Sequence, residues 1–184
     1  GHTMIVLVKD YFDMEIIGET TDDAVGEAFD KSAKILGFPY PGGPLIDKFA
    51  QEGNPKAFPF TKPKVQGLNF SFSGLKTHTL NTYKNSDQTA ADKANIARAF
   101  QDAVIETLAI KCKLALTQHK ITSLVIAGGV GVNLALRKEL TAVTKAMGVK
   151  VYFPKPEFCT DNGAMIAFAG YQHLQKGNKD LDYG

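Results

Sequence analysis

Cysteine is scarce, with only Cys112 and Cys159 among 184 residues. They lie 47 positions apart and neither has a CxxC partner, which argues against a disulfide scaffold and a zinc knuckle. Both read as reduced core thiols of a cytosolic protein. No run approaches the roughly 18 unbroken apolar residues of a membrane span, so no membrane partner is expected. The start, Gly1-His2-Thr3-Met4, carries no basic region and no cleavage pattern, so no signal peptide is expected. Histidine is sparse too. His2, His78, His119 and His173 form no HxxxH or HExxH pair, and one Asp with isolated histidines does not supply three metal ligands. There is no GxSxG elbow and neither cysteine has a neighbouring histidine, so a nucleophilic hydrolase is not expected.

What remains has the composition of a soluble globular protein, 44% hydrophobic and 22% charged, enough for one ordinary domain or two small ones. The net charge of +2 is too small to signal nucleic-acid binding. Within it, Lys56, Lys62, Lys64 and Lys76 fall in a segment, residues 54–77, that contains no Asp or Glu. Such a patch suits phosphates, although on charge alone a solvated loop is the favoured reading.

Met4-Ile5-Val6-Leu7-Val8 is β-branched and apolar and predicts a buried strand. A chain that opens inside a strand is expected to lack what preceded it. Thr20-Thr21-Asp22-Asp23 predicts a helix start, and Val25, Ala28, Phe29, Ala33 and Leu36 give that helix an apolar stripe ending at Gly37. A rigid Pro/Gly turn at 39–44 leads to a short helix near 45–52, and residues 53–67 read as irregular. Asn69-Phe70-Ser71-Phe72 predicts a half-buried strand, with a short helix from Ser73. After a polar loop at 84–92, the longest helix spans about 91–120, with Ile96, Phe100, Ala103, Val104, Leu108 and Leu114 inward. The remainder alternates: strand 123–127, helix 132–147, strand 150–153, helix from 161 to about 174. Short connections between such units predict parallel strands and an α/β fold.

Three motifs bear on chemistry. Ala127-Gly128-Gly129-Val130-Gly131-Val132-Asn133 stands where a buried strand turns into a helix, so backbone N–H groups there suit a phosphate or nucleotide. It is neither GxGxxG nor a P-loop, and equally reads as a tight βα turn with Asn133 as a surface cap. Cys159-Thr160-Asp161-Asn162-Gly163-Ala164-Met165 follows the second strand, so both loops are expected on one sheet edge, where α/β folds bind ligands. Asp161 suits a metal or a reacting group, but Thr160 and Asp161 are also good capping residues. The small residues Gly163, Ala164, Ala167, Ala169 and Gly170 predict close packing of this last helix. Finally, Asp23, Glu27 and Asp30 share one helical face, suited to ribose hydroxyls or a hydrated cation. The plainer reading pairs Glu27 with Lys31 and Asp30 with Lys34.

Several strings together resemble one family: Gly-His-Thr at 1–3, Gly18-Glu19-Thr20 with residues 22–31, Tyr40-Pro41-Gly42-Gly43-Pro44, Phe70-Ser71-Phe72-Ser73-Gly74-Leu75-Lys76-Thr77, Ala127-Gly128-Gly129-Val130 with Asn133, and the stretch 159–165. The family is TsaD, also called Gcp, the catalytic subunit of tRNA N6-adenosine threonylcarbamoyl transfer, long labelled O-sialoglycoprotein endopeptidase. The resemblance runs over nearly the whole chain in the family's order. It implies an actin-like (ASKHA, ribonuclease H-like) ATPase fold, with residues 1–184 as its C-terminal lobe and 38–90 as a helical and irregular insertion. It further implies a chain truncated at residue 1, lacking the preceding lobe and its His-x-x-x-His metal pair, and stopping short of the family's usual end.

Carried over position by position, Asp30 and Gly43 resemble contacts to the ribose or adenylate. Gly1 and Asn133 resemble further nucleotide or substrate contacts, and Gly128 and Gly129 stand beside the phosphates. Glu27 is a helper. Asp161 resembles the aspartate that completes, with the two absent histidines, a site for one divalent metal, iron(II) or alternatively zinc. The implied reaction is that of N6-L-threonylcarbamoyladenine synthase. The threonylcarbamoyl group passes from threonylcarbamoyl-AMP to N6 of adenosine 37 in tRNAs reading ANN codons. An ATP- or AMP-type nucleotide, tRNA, a TsaB-type paralogue and a TsaE-type ATPase are the implied partners, in the cytoplasm. This fragment alone is expected to be inactive. The competing readings are a metallopeptidase, against which the absence of an HExxH-like helix weighs, and a non-catalytic nucleotide-fold scaffold, against which Thr160-Asp161-Asn162 weighs.

Overall fold

The computed structural model describes residues 1–62 and 65–177. Chain order is β1 (Met4–Asp10), β2 (Asp13–Glu19), α1 (Val25–Ile35), α2 (Gly42–Glu52), α3 (Ser73–Lys84), α4 (Ala90–His119), β3 (Ser123–Val125), α5 (Leu134–Ala146), β4 (Lys150–Tyr152) and α6 (Gly163–Gln175). The class is mixed α/β. Strands β3 and β4 pair in parallel, Ser123 opposite Lys150 and Val125 opposite Tyr152, as the strand–helix–strand alternation requires. Among the described residues no helix is long and apolar enough to cross a membrane.

α4 organises the interior. It starts with a reciprocal capping box, in which Thr89 accepts from the Asp92 N–H and Asp92 accepts from that of Thr89. It runs for 30 residues because apolar side chains occupy more than one of its faces. Ile96, Phe100 and Val104 pack with Phe29, Leu36, Ile46, Phe70, Phe72 and Leu75, joining α1, α2 and α3 into one core. Ile105 and Ala109 pack instead with Leu136 and Leu140 of α5, against which Leu124, Ile126 and Phe153 lie. Burying each large side chain in these clusters contributes about 1.5–3 kcal/mol. The α1 stripe of Val25, Ala28, Phe29, Ala33 and Leu36 is buried as its spacing predicts, and Gly37 ends the helix at φ +78°.

Three elements differ from their sequence reading. The strand at 4–8 is expected to be buried, yet it belongs to a two-stranded antiparallel hairpin with β2. Met4 and Val8 are 42% and 58% exposed, since one neighbouring strand cannot cover two apolar faces. Ile5 does reach the first core. The predicted strand at 69–72 makes only a single bridge, Thr20 with Phe70. Its alternation is real, with Phe70 and Phe72 buried, but Asp22 takes the N–H groups of Phe72 and Ser73 and turns the chain into α3. The small-sided α6 buries none of its residues. It meets the hairpin turn through Tyr11 on Phe168, Phe12 on His173 and a 2.8 Å Lys176–Asp10 pair.

Candidate functional site

Parallel pairing sends the chain out of β3 and β4 at the same edge. After β3, Gly128 adopts φ +87°, a conformation that costs glycine little, and residues Gly129–Val132 form one 3₁₀ turn. A side chain at Gly128 or Gly129 would meet nothing within 4 Å, so both glycines border open space. Asn133 closes the turn as the cap of α5, its Oδ1 accepting from the Leu136 N–H at 2.8 Å. Its Nδ2 donates to Gln101 Oε1 of α4 at 2.8 Å. Asn133 is therefore a cap, but a buried one, only 7% exposed. Among the described residues that is the one bond its amide nitrogen donates.

The N-terminus of α1 docks on this turn. A Cβ built on Gly26 would lie 3.6 Å from Val130. The Val25 N–H donates to Thr3 Oγ1 at 2.9 Å, which holds Thr3 against the start of α1; Gly1 is exposed. Asp30 stands one helical turn beyond Gly26. Its Oδ1 accepts the Gly42 N–H at 2.9 Å, placing a carboxylate at the N-terminus of α2 beside Gly43, a favourable position for negative charge. The approach is close enough that a Cβ at Gly42 would sit 2.4 Å from that of Ala33. Gly43 itself faces open space.

The shared face of Asp23, Glu27 and Asp30 is thus divided. Lys31 bridges Asp23 and Glu27 at 2.7 Å each, which raises the pKa of the lysine and lowers that of Glu27. The second Asp23 oxygen, Oδ2, is buried and has no hydrogen-bond partner among the described residues. The expected Asp30–Lys34 pair is replaced by the Gly42 contact.

On the second loop, Asn162 rather than Thr160 or Asp161 caps α6, its Oδ1 accepting from the Met165 N–H at 3.0 Å. Asp161 is exposed. Among the described residues no three His, Cys, Asp or Glu side chains come together as a metal would need, and His2 pairs with Glu19 at 2.8 Å. Asp161 supplies one donor and no more, so the residues described do not by themselves fit a metal.

Three residues with structural roles escaped sequence reasoning, two of them at this edge. Gln101 orients the Asn133 amide from 32 positions away. Arg137 spans from the glycine turn to the segment after β4. Asp22 reads as part of a capping cluster for α1, yet it caps α3: partial burial raises its pKa, but the hydroxyls of Ser71 and Ser73 and the N–H groups of Phe72 and Ser73 hold it at about 2. The only local signals were an Asp in a cluster of caps and an Arg four positions after Asn133. In the lysine patch, Lys62 is paired with Glu106; Lys64 lies outside the described residues.

Comparison with solved structures finds the same fold at low identity. The crystal structure of T. kodakarensis HypF matches with a TM-score of 0.65 and 20% identity, over 90% of this chain and 21% of that one. The chain thus spans about a fifth of that protein's length. The model of the TsaD family, tRNA N6-adenosine threonylcarbamoyltransferase, matches residues 1–168, a stretch that takes in α1, the glycine turn and the Asp161 loop alike. By that match, the chain belongs to the TsaD family.

Proposed function

We propose that this chain is the nucleotide-gripping lobe of a tRNA N6-adenosine threonylcarbamoyltransferase, and that its ligand lies along the edge formed by α1, the α2 N-terminus and the two loops after β3 and β4. The observation that carries this reading is the family match over residues 1–168, which includes every residue proposed for the site. Asp30 and Gly43 take the ribose or adenylate, Gly128 and Gly129 lie beside the phosphates, and Gly1 and Asn133 add further contacts. The lobe is read as actin-like. In support, α4 contributes to both cores, against one of which Ile5 of β1 lies and against the other Leu124 of β3.

In the reaction, the N6 amine of adenosine 37 attacks the carbamoyl carbon of threonylcarbamoyl-AMP. The new C–N bond forms as the C–O bond to phosphate breaks, AMP leaves with the electron pair, and the amine proton goes to solvent. AMP is a good leaving group, so positioning and charge stabilisation suffice without a covalent enzyme intermediate. Asp161 is this chain's single proposed ligand to a divalent metal, iron(II) or zinc; the imidazole donors would lie outside the residues described, and no step is derived through it. A TsaB-type paralogue, a TsaE-type ATPase and tRNA are the proposed partners, with Lys56 and Lys76 available to the tRNA.

Asp30→Asn is the discriminating variant, because an amide oxygen still accepts from the Gly42 N–H while the charge is gone. Loss of a charge-assisted contact is expected to weaken AMP binding about tenfold, or about 1.4 kcal/mol, with the melting temperature nearly unchanged. Calorimetric titration of AMP checks it, and equal affinity in wild type and variant would remove Asp30 from the ligand site.

A further inference from the structure

We propose that Arg137 is a positioning residue that fixes the separation between the glycine turn and the Asp161 loop, an inference that rests on the transferase reading for its functional consequence. The β3–β4 ladder is short. Its last backbone link is the 3.0 Å bond from the Ile126 N–H to the Tyr152 carbonyl, after which the two chains diverge into their loops. Arg137 takes over where the ladder stops. Its Nε donates to the Gly131 carbonyl at 2.6 Å and its Nη2 to the Pro154 carbonyl at 2.9 Å. The same Nη2 lies 3.8 Å from Cys159 Sγ, and the guanidinium sits over the Phe153 ring, 5.0 Å from its centroid.

Each of those partners belongs to one of the two loops, and none to the body of a helix. Among the described residues no carboxylate pairs with Arg137, so its charge is directed at carbonyl dipoles. The loops also lie close together: a Cβ at Gly131 would stand 3.9 Å from Cys159 Sγ, and Cys159 is 3% exposed. Asp161 follows two residues later. A planar fork reaching two carbonyls in different directions, with its face on an aromatic ring, is a geometry that a lysine ammonium cannot reproduce. The separation of phosphate-side amides from the Asp161 carboxylate is the kind of distance on which reaction geometry depends steeply.

The test compares wild type with Arg137→Lys and Arg137→Met by amide hydrogen exchange, thermal melting and threonylcarbamoyl transfer to tRNA. Arg137→Lys is expected to speed exchange in residues 128–132 and 154–161 together, leave the body of α5 protected, and shift melting by only a few degrees. Arg137→Met shows the same pattern more strongly. In the transfer assay on the full-length protein kcat falls about tenfold or more while KM for tRNA is held. Unchanged exchange, a change in one loop only, or loss of protection throughout α5 and β4 would each overturn the proposal, the last by making Arg137 a general pillar. Because this fragment alone is expected to be inactive, transfer is assayed in the full-length protein; full-length wild type without transfer activity would instead count against the transferase reading, and the exchange data would still decide whether Arg137 couples the loops.

Discussion

At the scale of single residues, one side chain is often asked to satisfy backbone groups far away in sequence. Asp22 serves α3 across 50 positions, and its carboxyl, held at about 2 against an ordinary 3.8, makes that service depend on pH. A group depressed on folding stabilises the protein above its unfolded pKa, and that stabilisation disappears as pH falls from about 4 toward 2. Asp22→Asn is therefore expected to be less stable than wild type by about 0.5–2 kcal/mol at pH 6, the usual worth of a helix cap. The two proteins should converge near pH 2 in urea unfolding curves. A gap that persists undiminished at pH 2 would assign the effect to packing. Cys112 gives a second check. Burial pushes its thiol up to about 11, so little thiolate forms near neutrality, and the folded protein is expected to leave Cys112 unmodified by maleimide at pH 7. Peptide mass mapping reads this directly.

At the scale of elements, helices were more legible than strands. The α1 stripe, the Gly37 stop and the length of α4 follow from local spacing and caps, which operate within three or four residues. The Thr89–Asp92 box is such a local device, and Thr89→Ala is expected to cost about 1 kcal/mol, measured by chemical denaturation. β2 carries Met14, Ile16 and Ile17 among Asp13, Glu15 and Glu19, and was not legible as a strand. Its alternation is broken by register shifts in the hairpin, and strand pairing is decided by a partner rather than by the segment. The 69–72 segment failed for the opposite reason. Phe70 and Phe72 point inward as a strand would have them, but Asp22 competes for the backbone.

At the scale of the whole molecule, the candidate edge depends on the core beneath it. Phe29 of α1 meets Phe100 of α4 edge-on at 5.2 Å, and Phe100 is fully buried. That cluster holds α1, and through Gly26 and Asp30 it holds the edge. Phe100→Ala is expected to cost about 3–5 kcal/mol and to weaken AMP binding as well, because α1 loses its seat against the glycine turn. Denaturation and titration on the same preparation check both, and a destabilised variant with wild-type affinity would separate the core from the site.

By itself, the sequence determined the alternation of helices and parallel strands, the apolar stripes, and the motifs at 127–133 and 159–165, all of which are set within a few neighbouring residues. Only the tertiary structure decided that Asp30 meets Gly42, that Asn133 is held by Gln101, that Asn162 rather than Asp161 caps α6, and that Arg137 ties two loops together. Those outcomes are competitions for backbone N–H and carbonyl groups. Such a competition is won by whichever donor or acceptor the folded chain brings within about 3 Å, and sequence distance does not enter it.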